Sequence, residues 1–264
     1  MNNEFLYWVP GSILFVILFG LLIGVTTAGY YAGKRRHELV NDPVRYQIST
    51  LQSSLLGLLA LLLGFTFAMT VSRYDTRKQL VLDEANAIST TFLKAKLLSE
   101  PYASEAVSLL TEYVNARITF YNAGHNESNV QEANQKSEKL QNELWSVART
   151  AATGDPKSVT TGLFIQSLND VIDLHAKRLI ALDNHVPEPI ILMLWFVSIL
   201  ALGLTGYSCG LAGSRHFILT TMMALLIASV IYLIMDLDRP RRGLIQVSQK
   251  SMIQLYEHML KSQK

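Results

Sequence analysis

The feature that most constrains this chain is one long helix pattern, apolar in its first half and polar in its second. Residues 46–72 contain no Asp, Glu, Lys or Arg, and the charged segment that begins at Arg73 has no proline before Pro101. A charge-free stretch of this length can span a bilayer as a helix. Because no glycine occurs between Gly64 and Pro101 either, we predict one continuous rod that joins a membrane domain to a soluble domain.

Three further apolar blocks occur, at residues 5–33, 190–211 and 217–235, and half of all residues are hydrophobic. This composition is typical of an integral membrane protein. We therefore predict an all-α membrane protein with four transmembrane helices and a helical soluble insertion between the second and the third. The predicted domains are a first transmembrane hairpin (1–72), the helical insertion (73–186), a second transmembrane hairpin (187–236) and an amphipathic C-terminal tail (237–264).

The insertion has helical periodicity, with breaks at Pro101, Gly124 and Pro156 and a possible capping box at Ser128 and Gln131. Apolar residues spaced three or four apart form stripes that we expect to bury against other helices. The stripes are Val107, Leu110, Val114, Ile118 and Tyr121; Leu140, Leu144, Val147 and Ala151; and Leu168, Ile172, His175, Leu179 and Leu182. The tail segment 244–260 has a similar stripe, so it either lies on the bilayer surface or packs on the helical insertion.

A row of small residues follows one side of the second span. The members of this row are Gly57, Ala60, Gly64, Ala68 and Ser72. Such a row either lets neighbouring helices pack closely or faces a central axis, where small side chains leave room for water. In the second case Leu61 and Phe65, which flank the row, are candidates for an apolar constriction that gates by dewetting. Thr66, Thr70 and Ser72 would then supply hydroxyls on nearby faces.

Spans two and four are expected to leave the bilayer on the same face, because the chain crosses the membrane twice between the two exits. Charged residues follow both exits, and partly desolvated charges at this depth tend to be paired. We therefore predict an interfacial charge network, with snorkelling of the side chains to water as the alternative. The members of this network are Arg73, Arg77, Asp236, Asp238 and Arg239.

Motifs for catalysis or metal binding are absent from the sequence: it has no Gly-rich phosphate loop, no HExxH and no Cys/His cluster. Asp170 and Asp173 share a helix face, but His175 lies on the apolar stripe, so a core histidine is favoured over a metal site. The adjacent Asp83 and Glu84 point apart on a helix, which favours a solvated face with one interhelical contact. We expect no enzyme activity, no cofactor, no metal and, at a net charge of +2, no nucleic-acid partner.

Two stretches resemble a known family. Leu63–Phe65, Ser72–Arg77 and Asp83–Ala87 resemble the second-span exit of bacterial bestrophin-like proteins of unknown function. Leu237–Pro240, together with Gly243 and Val247–Ser248, resembles the post-span signature of the same family. The order of parts also matches. The resemblance implies a relation to bestrophins, which are pentameric anion channels whose second span lines the pore and whose soluble helices lie in the cytosol.

Two departures limit what the resemblance implies. Animal bestrophins carry a calcium-binding acidic cluster after the fourth span, whereas Asp236 and Asp238 here stand beside three arginines, so calcium binding is not carried over. Glu4 before the first span and Lys34–Arg36 after it favour an N-terminus outside the cytoplasm, and an extracytoplasmic insertion. We expect a multi-pass protein of the bacterial inner membrane.

Two functional classes remain open from the sequence. The first is a homo-oligomeric ion channel, which the resemblance favours, with the second span near the pore axis and small inorganic ions as the conducted species. The second is a membrane sensor or scaffold whose helical insertion binds a partner. Four spans are too few for a pore within one chain, so a channel must be a symmetric ring.

Overall fold

The computed structural model describes residues 9–124, 126–214, 216–240 and 243–263. These residues form helices and contain no strand, in agreement with the predicted fold class. The helices are α1 (Gly11–Arg35), α2 (Asp42–Ala95), α3 (Tyr102–Asn122), α4 (Glu127–Gly154), α5 (Val159–Asp183), α6 (Glu188–Leu211), α7 (Phe217–Leu237) and α8 (Lys250–Lys261).

Four stretches within the described residues are long and apolar enough to cross a membrane, judged by length and composition. They are α1, α2, the stretch Val159–Leu211 and α7. The third of these stretches contains both α5 and α6, but α5 carries several charged residues, whereas α6 carries only Glu188. The spans are therefore α1, the charge-free part of α2, α6 and α7. The first predicted span was drawn from Phe5, and residues 5–8 lie outside the described residues.

Helix α2 is continuous over 54 residues, a length of about 80 Å at the rise of an α-helix. The continuity of the predicted rod is confirmed, but both ends of the helix differ from the expectation. The helix begins already at Asp42, and it ends at Ala95 in a turn instead of reaching Pro101. The bond between Glu100 and Pro101 is cis.

The chain divides into two compact units. The first unit contains α1, the part of α2 up to Ser72, α6 and α7. In it, α1 packs against α6 and α7, and the apolar core includes Leu18, Leu22, Leu194 and Ile231.

Glycines let α1 and α6 approach closely. A Cβ added to Gly29 or Gly33 would overlap backbone atoms of Gly203 or Tyr207, and one added to Gly206 would overlap Thr26. The GxxxG spacings at 29–33 and 206–210 are therefore helix-packing motifs. By contrast, a Cβ at Gly20 or Gly24 meets no atom within 4 Å, so the first GxxxG spacing is not used within this unit.

The second unit contains α2 from Arg73 onward, α3, α4, α5 and α8. Its core is formed by one face of each helix, including Phe92 of α2, Leu110 of α3, Leu144 of α4 and Phe164 of α5. Of the predicted stripes, the one on α4 is buried throughout, but the buried face of α3 is rotated. It contains Ala106, Leu110, Tyr113, Val114, Arg117 and Phe120.

Side-chain caps begin α4 and α5 close to the breaks that the sequence predicted. The N-cap of α4 is Asn126, whose side chain accepts hydrogen bonds from the backbone of Ser128 and Asn129. The predicted capping box at Ser128 and Gln131 is therefore wrong, because Asn126 is the N-cap and Ser128 already lies inside the first turn of α4. Ser158 caps α5 in the same way.

Helix α8 packs on the second unit. Met252, Leu255 and Met259 are buried in its core, and α8 contacts α3. Of the two placements that the sequence left open for the tail, the structure shows packing on the helical bundle. The helix is shorter than the predicted segment because it begins at Lys250.

Candidate functional sites

The small-residue row of α2 lies on an exposed face of the first unit. All its members are exposed, and so are the two flanking apolar residues, Leu61 at 54% and Phe65 at 67%. A Cβ built on Gly57 or Gly64 meets no atom within 4 Å. The row is therefore not used to pack α2 inside its own unit, which leaves it to face lipid, a second subunit or water.

The opposite face of α2 holds the span against the rest of the first unit. Leu59 and Leu63 are buried in its core. Thr66 and Thr70 are buried too, and each hydroxyl donates a hydrogen bond of 2.8 Å to the carbonyl four residues earlier. The expectation that these two threonines offer hydroxyls beside the row is wrong, because the backbone of the same helix already binds them. Ser72 remains exposed.

The first carboxylate of the post-span signature closes a turn after α7. Asp236 accepts backbone N–H groups from Leu244 and Ile245, at 2.9 and 3.0 Å. The turn also needs Gly243, because a Cβ there would lie 2.5 Å from the carbonyl oxygen of Asp236. The carboxylate thus serves as a backbone acceptor in place of the missing partners at a helix end.

The second carboxylate of the signature holds the segment that enters α6. Asp238 is fully buried, and its Oδ2 accepts the N–H of Val186 at 2.6 Å. Nδ1 of His185 lies 2.8 Å from the carbonyl oxygen of Asp238, so this nitrogen donates. Arg239 lies beside Gly11, where an added Cβ would meet its guanidinium at 3.3 Å.

The two arginines of the predicted charge network belong to the second unit. Arg77 donates to the carbonyl oxygens of Ala181 and Asn184, both at 2.9 Å, at the end of α5. Arg73 is half-buried. Pairing of these arginines with Asp236 and Asp238 stays a prediction. Arg241 and Arg242, the other basic residues of the signature, lie outside the described residues.

A buried ionic cluster that the sequence did not predict lies in the second unit. Glu84 of α2 is fully buried and accepts from Arg117 Nε of α3 at 2.8 Å and from Arg178 Nη1 of α5 at 2.5 Å. Neutral side chains complete the cluster. Tyr113 donates to Glu84 at 3.2 Å, Gln141 donates to Tyr113, and Gln249 accepts from Arg178 at 2.5 Å. We call this set of residues the Glu84 cluster.

Burial and ion pairing shift the pKa values of the Glu84 cluster in opposite directions. Burial by itself raises the pKa of Glu84, but the two guanidiniums outweigh it and place the pKa below its usual value. Burial opposes the charge on Arg117, yet Glu84 holds the pKa of that guanidinium above its usual value. For Arg178 burial outweighs the attraction of Glu84, so the pKa of that guanidinium lies below its usual value. A single carboxylate therefore serves two arginines, and the buried group keeps a net positive charge.

His175 occupies the edge of the Glu84 cluster as a neutral side chain. It is 4% exposed, and its Nδ1 lies 3.2 Å from the hydroxyl of Tyr113. Burial, together with the nearby Arg117, lowers the pKa of His175 to about 4. The prediction of a core histidine is confirmed. Asp170 and Asp173 are exposed, so the structure does not bring them together with His175.

Charged residues at core positions of three helices are a sequence signal for the Glu84 cluster. Glu84 stands in the buried stripe of Val81, Ala85 and Ile88, and Arg117 and Arg178 occupy the buried faces of α3 and α5. A charged residue at a core position of a helix is rarely fully buried unless it is paired. Three such positions on three helices indicate one shared contact. For Asp83 and Glu84 the sequence predicted a solvated face with one interhelical contact, but Arg117 and Arg178 were not identified as the partners in that contact.

The fold is that of bacterial bestrophins. A crystal structure of a bacterial bestrophin homologue from Klebsiella pneumoniae, phased with zinc, matches with a TM-score of 0.69 at 15% identity, over 93% of this chain and 97% of that one. A variant of the same homologue matches with a TM-score of 0.67 at 16% identity, over 93% and 97%. A comparison with curated proteins finds no match. The all-helical fold and the four helices that are long and apolar enough to cross a membrane define the class, a multi-pass membrane protein.

The family model of the Bestrophin-like domain matches residues 15–252. The chain belongs to the bestrophin-like family. The resemblance seen in the second-span exit and in the post-span signature is thereby confirmed.

Proposed function

We propose that this protein is an oligomeric ion channel in which the small-residue row of α2 lies near the pore axis. The observation that carries the proposal is the exposure of the whole row, from Gly57 to Ser72, in a chain of the bestrophin-like family. A row buried against α1 or α6 of the same subunit would have argued against a pore. Instead, α2 packs through its opposite face.

The exposed face has the chemistry of an uncharged pore. Between residues 46 and 72 there is no charged side chain, and small residues alternate with Leu61 and Phe65 along the row. Rings of such apolar side chains would form a constriction that gates by dewetting. The same face is equally suited to close contact between α2 helices of neighbouring subunits, so both roles require a homo-oligomer. We propose a pentamer on the bestrophin pattern.

The fold favours a helical insertion outside the lipid. The second unit has a charged surface and a core that includes the Glu84 cluster, and ions of this kind are avoided within a bilayer. We propose that residues 73–186 form a soluble insertion, joined by α8, on a protein of the bacterial inner membrane. Alkaline phosphatase fused near Gly124 would be active if the charge rule orients the chain and inactive if the insertion lies in the cytosol.

The test is ion flux from liposomes that contain the purified full chain. Gly64→Cys or Ala68→Cys should make the flux sensitive to a water-soluble, membrane-impermeant thiol reagent. The matched control is Gly24→Cys, a glycine of α1 that also stands in open space but lies off the row. Because Cys209 is the only native cysteine, these variants are built on Cys209→Ala.

Block at positions 64 and 68 but not at 24 supports the pore assignment. Flux that is insensitive at all three positions, in open and closed conditions, would reject it. Native mass spectrometry in detergent gives an independent decision, because a monomer cannot form this pore. A monomer without flux would favour the sensor or scaffold, whose insertion binds a partner.

A further inference from the structure

A small cavity lies beside the Glu84 cluster in the second unit. The space open to the centre of a water-sized particle is about 10 Å³, enough for a single small bound particle. Its polar lining comes from Arg77, Tyr121, Arg178 and Gln249, and Pro240 and Val247 are among the residues that close it. Arg77 and Arg178 are each only 3% exposed. The cavity is therefore lined by two buried guanidiniums, and it is separate from the exposed row on α2.

The charge balance around this cavity favours an anion. Among the described residues, Arg117 and Arg178 share the single carboxylate of Glu84, and the other members of the cluster are neutral. Buried charges are costly unless an opposite charge or hydrogen bonds compensate them. One positive charge in the cluster therefore lacks a counter-ion among the described residues, and Arg178 is the charged member that borders the cavity.

Tyr121 offers a hydrogen-bond donor at the same place. Its hydroxyl oxygen is buried and has no hydrogen-bond partner among the residues that the structure describes. A buried hydroxyl without a partner costs free energy, so such groups usually bind water or a ligand. Gln249 is already engaged, because its Oε1 accepts from Arg178 and its Nε2 donates to Val247. Tyr121 is thus the uncharged donor, and Arg178 the charged member of the Glu84 cluster, that a particle in the cavity would meet.

We propose that this cavity binds a small monovalent inorganic anion of the size of chloride or bromide, held by Arg178 and the hydroxyl of Tyr121. The anion completes the charge balance of the Glu84 cluster and fixes α5 to the segment that precedes α8. This role does not depend on whether the protein conducts ions. An ordered water would satisfy Tyr121 but would leave the excess charge uncompensated.

The first test uses crystals of the full chain grown in sodium bromide. An anomalous bromine peak between Arg178 and Tyr121 is expected. Density for an ordered water only, with no anomalous signal, would overturn the proposal. This measurement needs no variant, so it stands even if a substitution prevents folding.

The second test measures thermal unfolding of the full chain in detergent at constant ionic strength, while bromide replaces gluconate, which is too large for the cavity. The midpoint should rise and saturate with bromide. Tyr121→Phe removes one hydrogen bond to a charged group, so its apparent affinity for bromide should fall about tenfold or more. The control is Tyr256→Phe, a half-buried tyrosine of α8 that does not line the cavity. Equal midpoints in bromide and gluconate, or an unchanged affinity in Tyr121→Phe, would refute the site.

Discussion

The Glu84 cluster makes the sharpest prediction about stability. Glu84→Gln removes the only carboxylate that Arg117 and Arg178 share among the described residues, while it keeps the size of the side chain. All three side chains are buried, with exposures of 0, 0 and 3%. Removing one partner of a buried ion pair typically costs about 3–5 kcal/mol, because the remaining charge stays buried without compensation. Two guanidiniums lose their partner here, so we expect a loss in the upper part of that range.

The assay is thermal unfolding of the full chain in detergent, followed by circular dichroism. For a protein of this size, each kcal/mol corresponds to roughly 2–4 °C in the unfolding midpoint. Glu84→Gln should therefore lower the midpoint by about 10 °C or more. The matched control is Asp83→Asn, the adjacent carboxylate, which is half-buried and accepts one hydrogen bond of 2.9 Å from Gln79. Its effect should be within about 0.5 kcal/mol.

A triple variant distinguishes two causes of destabilisation, the loss of the attraction within the cluster and the burial of a charge without a partner. Replacing Glu84, Arg117 and Arg178 together by Leu, Leu and Met removes all three buried ions. It should cost less than Glu84→Gln alone, because no charge then remains in the core. If Glu84→Gln shifts the midpoint no more than Asp83→Asn, the cluster is not held by this carboxylate and the reasoning is refuted.

Three further predictions follow from the structure. Burial lowers the pKa of His175 to about 4, from an ordinary value of 6.5. The unfolded chain therefore binds one more proton than the folded chain in this range, and stability should fall as the pH drops from 6.5 toward 4. His175→Gln should flatten this dependence in thermal melts recorded at several pH values, and an unchanged slope would assign the dependence to other groups. Gly206→Ala should destabilise the detergent-solubilised protein by about 1–3 kcal/mol, because the added Cβ overlaps the backbone of α1. Gly24→Ala, which places its Cβ in open space, should leave the midpoint of thermal unfolding unchanged. Equal effects of the two substitutions would contradict the close packing of α1 and α6. A fragment of residues 73–186 lacks α8 and exposes the surface that buries Met252, so it should be poorly stable or self-associated, and a monomeric fragment with a cooperative melt would refute this.

Much of the helical layout could be predicted from local signals. The continuous helix α2 follows from the lack of Pro and Gly after Gly64 and from the switch between apolar and charged composition at Arg73. The breaks between α3, α4 and α5 follow from Pro and Gly positions. The family could be recognised from the Leu237–Pro240 signature. The role of Asp238 as an acceptor for backbone N–H groups could not be predicted, because its partner, Val186, lies far away in the sequence.

Other features were decided only by tertiary structure. A GxxxG spacing begins both at Gly20 and at Gly29, yet only the glycines of the spacing at Gly29 contact α6. The two spacings are equivalent in the sequence. Only the point at which α1 crosses α6 distinguishes one from the other. The tail helix could have covered lipid as well as protein, since either would bury Met252 and Met259. An interhelical contact was expected for the Asp83–Glu84 pair, but its partners, Arg117 and Arg178, are set by the packing of α3 and α5 against α2. Periodicity determines which residues share a face of one helix, but the partner of that face depends on how separate helices pack, and this information is not local in the chain.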